Sequence, residues 1–258
     1  MNALDLAPAA APAPLVRRIV HHALMETRLV LRNSEQLLLA LVIGWTTPVI
    51  GAMVAGVLVG NRFGVAREPF VASVIALGLW SSGFTSPAIT TAFERRYGVL
   101  ERLVATPLRR ADLLAGKATM IALLALGQAA VLVLAGLLLG WAPAPLVPQV
   151  LVTVAVVPLA LVSFAGLALS LAGRASAELT LGLANLVYLL GAAGGLLVPV
   201  STFPAWAQPL VGLLPTAALG ETLRGRATGA FDPLPLLVVL AWAVAAVALA
   251  RKVFRWIS

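Results

Sequence analysis

Apolar residues run in blocks of about twenty, and the breaks between the blocks carry nearly all of the charge. The blocks are Leu37–Gly60, Phe70–Ala92, Leu113–Gly140, Leu146–Ala172, Leu179–Val200 and Leu234–Ala250. Each approaches or exceeds the roughly 20 residues that a helix needs to cross a bilayer. The pattern therefore predicts an all-α polytopic membrane protein with six transmembrane helices. The third and fourth blocks are longer than a bilayer requires, which predicts tilt or projecting ends. Pro48, Pro87 and Pro158 fall inside blocks and predict kinks, since proline removes a backbone donor.

Two further patterns lie outside the spans. Between Leu15 and Asn33, Val16, Ile19, Val20, Ala23, Thr27, Val30 and Leu31 recur at three- and four-residue spacing. Arg17, Arg18, His21, His22, Arg28 and Arg32 occupy the other side. This predicts an amphipathic helix over 15–33 lying in the membrane interface, its cations among lipid headgroups; a plain extension of the first span is the other reading. Ser201–Pro233 is too short for a domain and too apolar for a free loop. Pro204, Pro209 and Pro215 divide it into short helical pieces, which predicts re-entrant or outer helices between the fifth and sixth spans. Residues 1–14, rich in Ala and Pro, read as a disordered tail without the order of a signal peptide. Residues 15–258 read as a single transmembrane domain.

Composition bears this out. Of 258 residues, 61% are hydrophobic and 11% charged, with a mean hydropathy of +1.01; soluble domains hold about 25% charged residues. The absence of cysteine excludes disulfides and thiolate chemistry. The net charge of +8 is topological. With both termini inside, fourteen of the 18 Lys and Arg fall on cytoplasmic segments, leaving Arg62, Arg67, Arg224 and Arg226 outside. No nucleic-acid partner is implied.

Catalytic signatures are missing. The chain contains no G-x-S-x-G, no H-E-x-x-H and no paired acid motif, and its two histidines are the adjacent His21 and His22. Gly116-Lys117-Ala118-Thr119 is not a phosphate loop, because Ala111 stands where the first glycine belongs and Ala118 replaces the Mg²⁺-binding hydroxyl. The spans carry no ionisable group to couple transport to an ion gradient; Lys117, one turn in, is expected to snorkel to the cytoplasmic surface. Energy for any transport is therefore expected from a partner.

A charged run, Phe93–Arg110, separates the second and third spans. Glu94 and Glu101 stand seven apart, Tyr97, Leu100, Leu103 and Val104 form an apolar stripe, Pro107 ends the helix and Asp112 can cap the next. A short helix of this kind suits a groove on another protein. A solvated loop, self-paired through Glu94–Arg95 and Glu101–Arg102, suits the same residues. In the spans, Ser82, Thr85, Ser86 and Thr90 form a hydroxyl stripe in the second, and Asn185 and Tyr188 share a face of the fifth. Hydroxyls there commonly bond their own i−4 carbonyl. Gly56-x-x-x-Gly60, Gly136-x-x-x-Gly140 and Gly191-x-x-x-Gly195 permit close helix packing, by default within one subunit.

Residues 94–108 (ERRYGVLERLVATPL) followed by Leu113-Leu114-Ala115-Gly116-Lys117 resemble the E-x-x-x-G-x-x-E-x-L-x-x-x-P … G-K signature of ABC type-2 export permeases. Pro199–Trp206, Pro209, Leu214-Pro215 and Arg224 are similar to that family's segment before its last span. The resemblance covers about residues 15–258. It implies a permease subunit in the bacterial cytoplasmic membrane, working as a dimer (here a homodimer) with a separate cytoplasmic ATPase that holds ATP and Mg²⁺, this chain having no cofactor. The interfacial helix and the 94–108 coupling helix would touch the ATPase through Glu94, Arg95, Tyr97, Gly98, Glu101, Arg102, Leu103 and Pro107. The path would follow the second and fifth spans, with Ser82, Thr85, Ser86, Asn185 and Tyr188 as candidates. Phe203, Trp206 and Pro215 would belong to an outer gate. An uncharged, hydroxyl-lined path and few aromatics favour an amphipathic or hydrophobic substrate, drug or lipid-like. The alternatives are a polysaccharide or glycolipid exporter, or a non-transporting membrane anchor for an ATPase.

Overall fold

The computed structural model describes residues 14–32, 47–63, 67–104, 110–143, 147–228 and 232–254. These residues are helical with short connections: α1 (Leu15–Arg32), α2 (Thr47–Phe63), α3 (Arg67–Trp80), α4 (Ser86–Arg96), α5 (Val99–Val104), α6 (Arg110–Leu138), α7 (Val147–Ala172), α8 (Ala177–Gly191), α9 (Gln208–Gly212), α10 (Pro215–Thr228) and α11 (Leu234–Val253). Five helical stretches among them are long and apolar enough to cross a membrane: Pro69–Arg96, Ala111–Leu138, Val150–Ala172, Ala177–Leu196 and Leu234–Val253. Of the first expected span the described part is α2, whose apolar stretch Val49–Leu58 is shorter than a bilayer crossing needs; residues 37–46 of that prediction, the 1–13 tail and Pro107 lie outside the described residues.

The stretch Pro69–Arg96 is the axis of the bundle. It is 72% buried, against 28–39% for the other four. The core gathers around its small and branched residues, with Gly83 beside Leu161 and Phe164 of α7 and Trp80 edge-on to Phe164 at 4.6 Å. Small side chains let helices approach closely where lipid offers no hydrophobic drive to association. Gly56 lies against Phe70, Gly136 against Val71 and Trp141, and Gly166 against Ala246 of α11, so these glycines pack helices within one chain. The outer faces of α6, α8 and α11 expose Leu126, Leu134, Leu186, Leu189, Leu237 and Val244, an apolar surface suited to lipid or another subunit.

Two helices contain a wide turn. A π turn at Ser81–Thr85 joins α3 to α4, the Ser86 N–H reaching back to Ser81 O. Pro87 follows at once and supplies no N–H, so the expected kink takes the form of a π turn just ahead of the proline. The second lies at Ala192–Leu196, where Gly194 and Gly195 leave the helical region, Gly195 at φ +93. The fifth span therefore ends at Leu196 rather than Val200, because two consecutive glycines permit a conformation that side chains resist.

α10 lies against that break. Its residues Thr216–Gly220 and Thr222–Arg224 are buried, and a helix buried around its circumference has no face left for lipid or water. At 14 residues it spans about 21 Å, too short to cross. Its closest approach is at Gly220, where a β-carbon would stand 2.3 Å from Gly195 O. Gly220→Ala is accordingly expected to lower the unfolding temperature of the purified protein by several degrees. Gly127→Ala, with nothing within 4 Å of the added carbon, should leave it unchanged or slightly raised.

Candidate functional site

At the α1 end of the bundle, four helices and one loop are tied by polar contacts. Lys117, in the second turn of α6 and 2% exposed, places Nζ 2.6 Å from Glu94 Oε2 on α4. Arg18 of α1 is 3.2 Å from Asp112, itself 1% exposed at the start of α6. Arg95 is buried and donates to Ala175 O at 2.5 Å, and Arg96 pairs with Glu178 in the first turn of α8. His22 and Ala23 bury the inner face of α1 against α6, with His22 at Gly116. The 28-residue stretch Pro69–Arg96 measures about 42 Å at 1.5 Å per residue, against a hydrocarbon core of about 30 Å. Its charged end can thus sit beyond the apolar region.

Several expectations change here. Lys117 does not snorkel outward; it turns inward to Glu94. Asp112 does more than sit at a helix start, since it receives Arg18. α1 keeps an exposed apolar row, Val16, Val20 and Leu24, as an interfacial helix would, but Arg18 leaves the headgroup side for Asp112. Glu94 pairs with Lys117 and Arg95 bonds Ala175, so the self-paired loop reading fails for Glu94–Arg95.

The 94–108 run is not a single helix. α4 ends at Arg96, with Tyr97 N–H donating to Phe93 O and Gly98 N–H to Arg95 O. Gly98 takes φ +68, the left-handed closure that glycine adopts most cheaply, and α5 begins at Val99. Seven-residue spacing across Gly98 therefore does not place Glu94 and Glu101 on one face. The expected apolar stripe is also split. Leu100 is buried with Leu113, Leu169, Ala250 and Phe254, while Tyr97 is 67% exposed and Val99 41%. Glu101 is exposed as well. Arg102 and Leu103 lie in α5. The surface left facing outward is the step Tyr97, Val99 and Glu101, pinned from behind by Leu100.

The mid-span residues divide. Ser82 donates to Gly78 O at 2.8 Å and also bonds Gln128 Oε1 of α6. Thr85 is wholly buried in the π turn, its hydroxyl lacking a partner among the described residues. Ser86 O accepts from Thr90. Asn185 is exposed and donates to Leu181 O of its own helix at 2.9 Å, the local bonding anticipated for such residues. Tyr188 O accepts from Trp80 Nε1 at 3.4 Å; Trp80 in turn stacks on Phe84 at 4.5 Å. Ser82 and Thr85 thus turn into the bundle and Asn185 away from it. Gln128 was the missed member: one amide in the long apolar block 113–140 was the available signal.

At the opposite end, Trp206 is 76% exposed, Phe203 half-buried and Pro215 buried at the start of α10. The residue that organises this end is Arg224, 5% exposed. Its Nη1 donates to Ser73 Oγ at 2.9 Å and Leu196 O at 2.5 Å, its Nη2 to Gly195 O at 2.6 Å and Glu221 Oε1 at 2.8 Å. Glu221 Oε1 also accepts the Val200 N–H at 2.7 Å. A guanidinium thus satisfies carbonyls that the break in the fifth span would otherwise leave orphaned. The sequence signal was a Glu and an Arg at i,i+3 within a segment too apolar for a loop.

Among the described residues no group of His, Cys, Asp or Glu could hold a metal ion. A family model described as an ABC-2 family transporter protein matches residues 64–251. Two curated relatives are similar over 257 aligned residues, 93% of this chain and 89% of theirs, at 26% identity. Both are described as a probable doxorubicin resistance ABC transporter permease protein DrrC, one from Mycobacterium tuberculosis strain CDC 1551 / Oshkosh and one from strain ATCC 25618 / H37Rv.

Proposed function

Because the chain belongs to the ABC-2 transporter family, as a multi-pass membrane permease related to drug-resistance permeases, we propose that it is the membrane subunit of an ATP-driven exporter. It moves an amphipathic or hydrophobic compound, drug or lipid-like, out of the cytoplasm or its inner leaflet. Two copies form a homodimer in the bacterial inner membrane, with both termini cytoplasmic. The chain crosses the membrane six times, with α2 in the first span. A separate cytoplasmic ATPase binds ATP and Mg²⁺, and the permease itself carries out no chemistry.

The observation that carries this reading is the construction of the α1 end. Four polar contacts lock α1, α4, α6 and the start of α8 into one unit, while Tyr97, Val99 and Glu101 remain exposed on a step held rigid by Leu100. A force applied to that step from the cytoplasm passes into the axial helix and α6 without first being absorbed by a flexible loop. Arg102, Leu103 and Pro107 are assigned to the same docking segment from the sequence resemblance. Glu94 and Arg95 serve it from inside, by holding the step in place. Ser82, Thr85 and Ser86 line the axial helix where it turns through the π segment, Asn185 and Tyr188 the fifth span facing the second copy, and Phe203, Trp206 and Pro215 the outer exit.

Docking is tested at the exposed residues, since changing Glu94 also breaks its ion pair with Lys117. Tagged permease recovered in mild detergent should bring down an ATPase whose activity rises with substrate. Tyr97→Ala with Glu101→Lys is expected to reduce that recovery at least tenfold while the permease still inserts and melts normally. Undiminished recovery would place the ATPase elsewhere. An ATPase that stays bound but ignores every amphipathic compound would favour the anchor over the exporter.

A further inference from the structure

At the end opposite α1, a cavity of about 610 Å³ lies between α9, α10 and the start of α11, with Val152 of α7 on one side. That size suits a drug-sized molecule, for which sites run about 300–1,000 Å³. Val152, Leu213, Leu234 and Val238 give it apolar walls. The charged lining is Glu221, Arg224 and Asp232, and these three are not equally available. Both terminal nitrogens of Arg224 are committed, each to two acceptors, so no fork of donors is left to grip an anion. The carboxylates are less occupied. Glu221 uses Oε1 for both Val200 and Arg224, and Asp232 uses Oδ1 for the Leu234 N–H at 2.9 Å; the bonds of each carboxylate fall on that one oxygen.

We propose that this cavity binds an amphipathic cation, its ammonium held by the spare oxygens of Glu221 and Asp232 and its apolar body lying along Val152, Leu213, Leu234 and Val238. The assignment deepens the export reading and, as a waypoint on the outer side, rests on it. It also refines the substrate class, because the mid-span path is uncharged whereas the exit side presents acceptors for one positive charge. A carboxylate at an apolar wall gains most from a cation that brings its own apolar surface, since both parts are then desolvated together.

The test uses the full-length permease, without any ATPase, in phosphatidylcholine nanodiscs, with ethidium as the cationic probe and Nile red as a neutral one. Asp232→Asn keeps a side-chain oxygen for the Leu234 N–H but removes the charge. Gly212→Trp fills the cavity from a position whose added β-carbon meets nothing within 4 Å. The expected result is at least a tenfold rise in the ethidium Kd for Asp232→Asn with Nile red unchanged, and loss of both probes in Gly212→Trp. Ethidium binding that survives Gly212→Trp, or that Asp232→Asn weakens no more than Nile red, would overturn the site. Competition on adding phosphatidylethanolamine would assign it to a lipid ammonium instead. A permease that binds ethidium in this way but recruits no ATPase would sink the export reading and leave the site standing.

Discussion

Arg224→Met is expected to lower the thermal unfolding midpoint of the detergent-solubilised protein by on the order of 10 °C, with Arg224→Lys intermediate. Removing one member of a buried charged network costs about 3–5 kcal/mol, and at this chain length each kcal/mol corresponds to about 2–4 °C. The loss is large because four acceptors depend on one side chain: Ser73 Oγ, Leu196 O, Gly195 O and Glu221 Oε1. Two of these are carbonyls at a helix break, where the negative end of the helix dipole makes a nearby cation favourable. Lysine retains the charge but replaces a planar fork with a single ammonium, so it cannot reproduce two donors on each of two nitrogens. Adding Glu221→Gln to Arg224→Met should recover a minor part, since Glu221 is 35% exposed and water already screens it. An Arg224→Met protein that melts like the parent would mean that the break in the fifth span holds itself.

The second large effect is an asymmetry across the Lys117–Glu94 pair. Glu94→Gln is expected to destabilise the protein by about 3 kcal/mol, and Lys117→Met by about 1 kcal/mol or less. The reason is burial: Lys117 is 2% exposed and Glu94 26%. Taking away the carboxylate leaves an ammonium in the interior beside a neutral amide. Taking away the ammonium leaves a carboxylate that water can reach, while methionine fills the vacated volume. The double variant should lie close to Lys117→Met, giving a coupling of more than 1 kcal/mol in a double-mutant cycle read by thermal or denaturant unfolding. If Lys117→Met proves the worse of the two, the ammonium is doing more than balancing Glu94. The same pair explains why charge reversal at Glu94 would be a poor probe of docking: it would set two cations together before any partner was involved.

Much of this protein could be read from its sequence, and the parts that could not share a cause. Five membrane-crossing stretches and the amphipathic α1 follow from solvent. A backbone in hydrocarbon must bond to itself, so block length and amphipathic period report helices whatever their neighbours are. The family resemblance likewise rested on contiguous residues, 94–108 and 113–117, and the match over residues 64–251 agrees with it. Two helix ends made by glycine escaped that pattern: the run 94–108, which reads as one helix, breaks at Gly98, and the fifth span stops at Gly194-Gly195 rather than at Val200.

Partners distant in the chain were another matter. Glu94 looked like half of an exposed docking face and proved to be the counter-ion of Lys117. Arg18 looked like a headgroup contact and proved to belong to Asp112. Arg224 was counted among outer charges that set orientation and proved to be the clamp on the fifth span. In each case the sequence determined that a charge must be satisfied, because an unpaired one is costly near or within the membrane. It could not determine by which residue, because helix packing brings together positions from 23 to 151 places apart in number. The sequence alone thus set the solvent, the elements and the family, all of which depend on short-range pattern; the choice of which charges face inward and which remain to meet a partner was made by the packing of one helix on another.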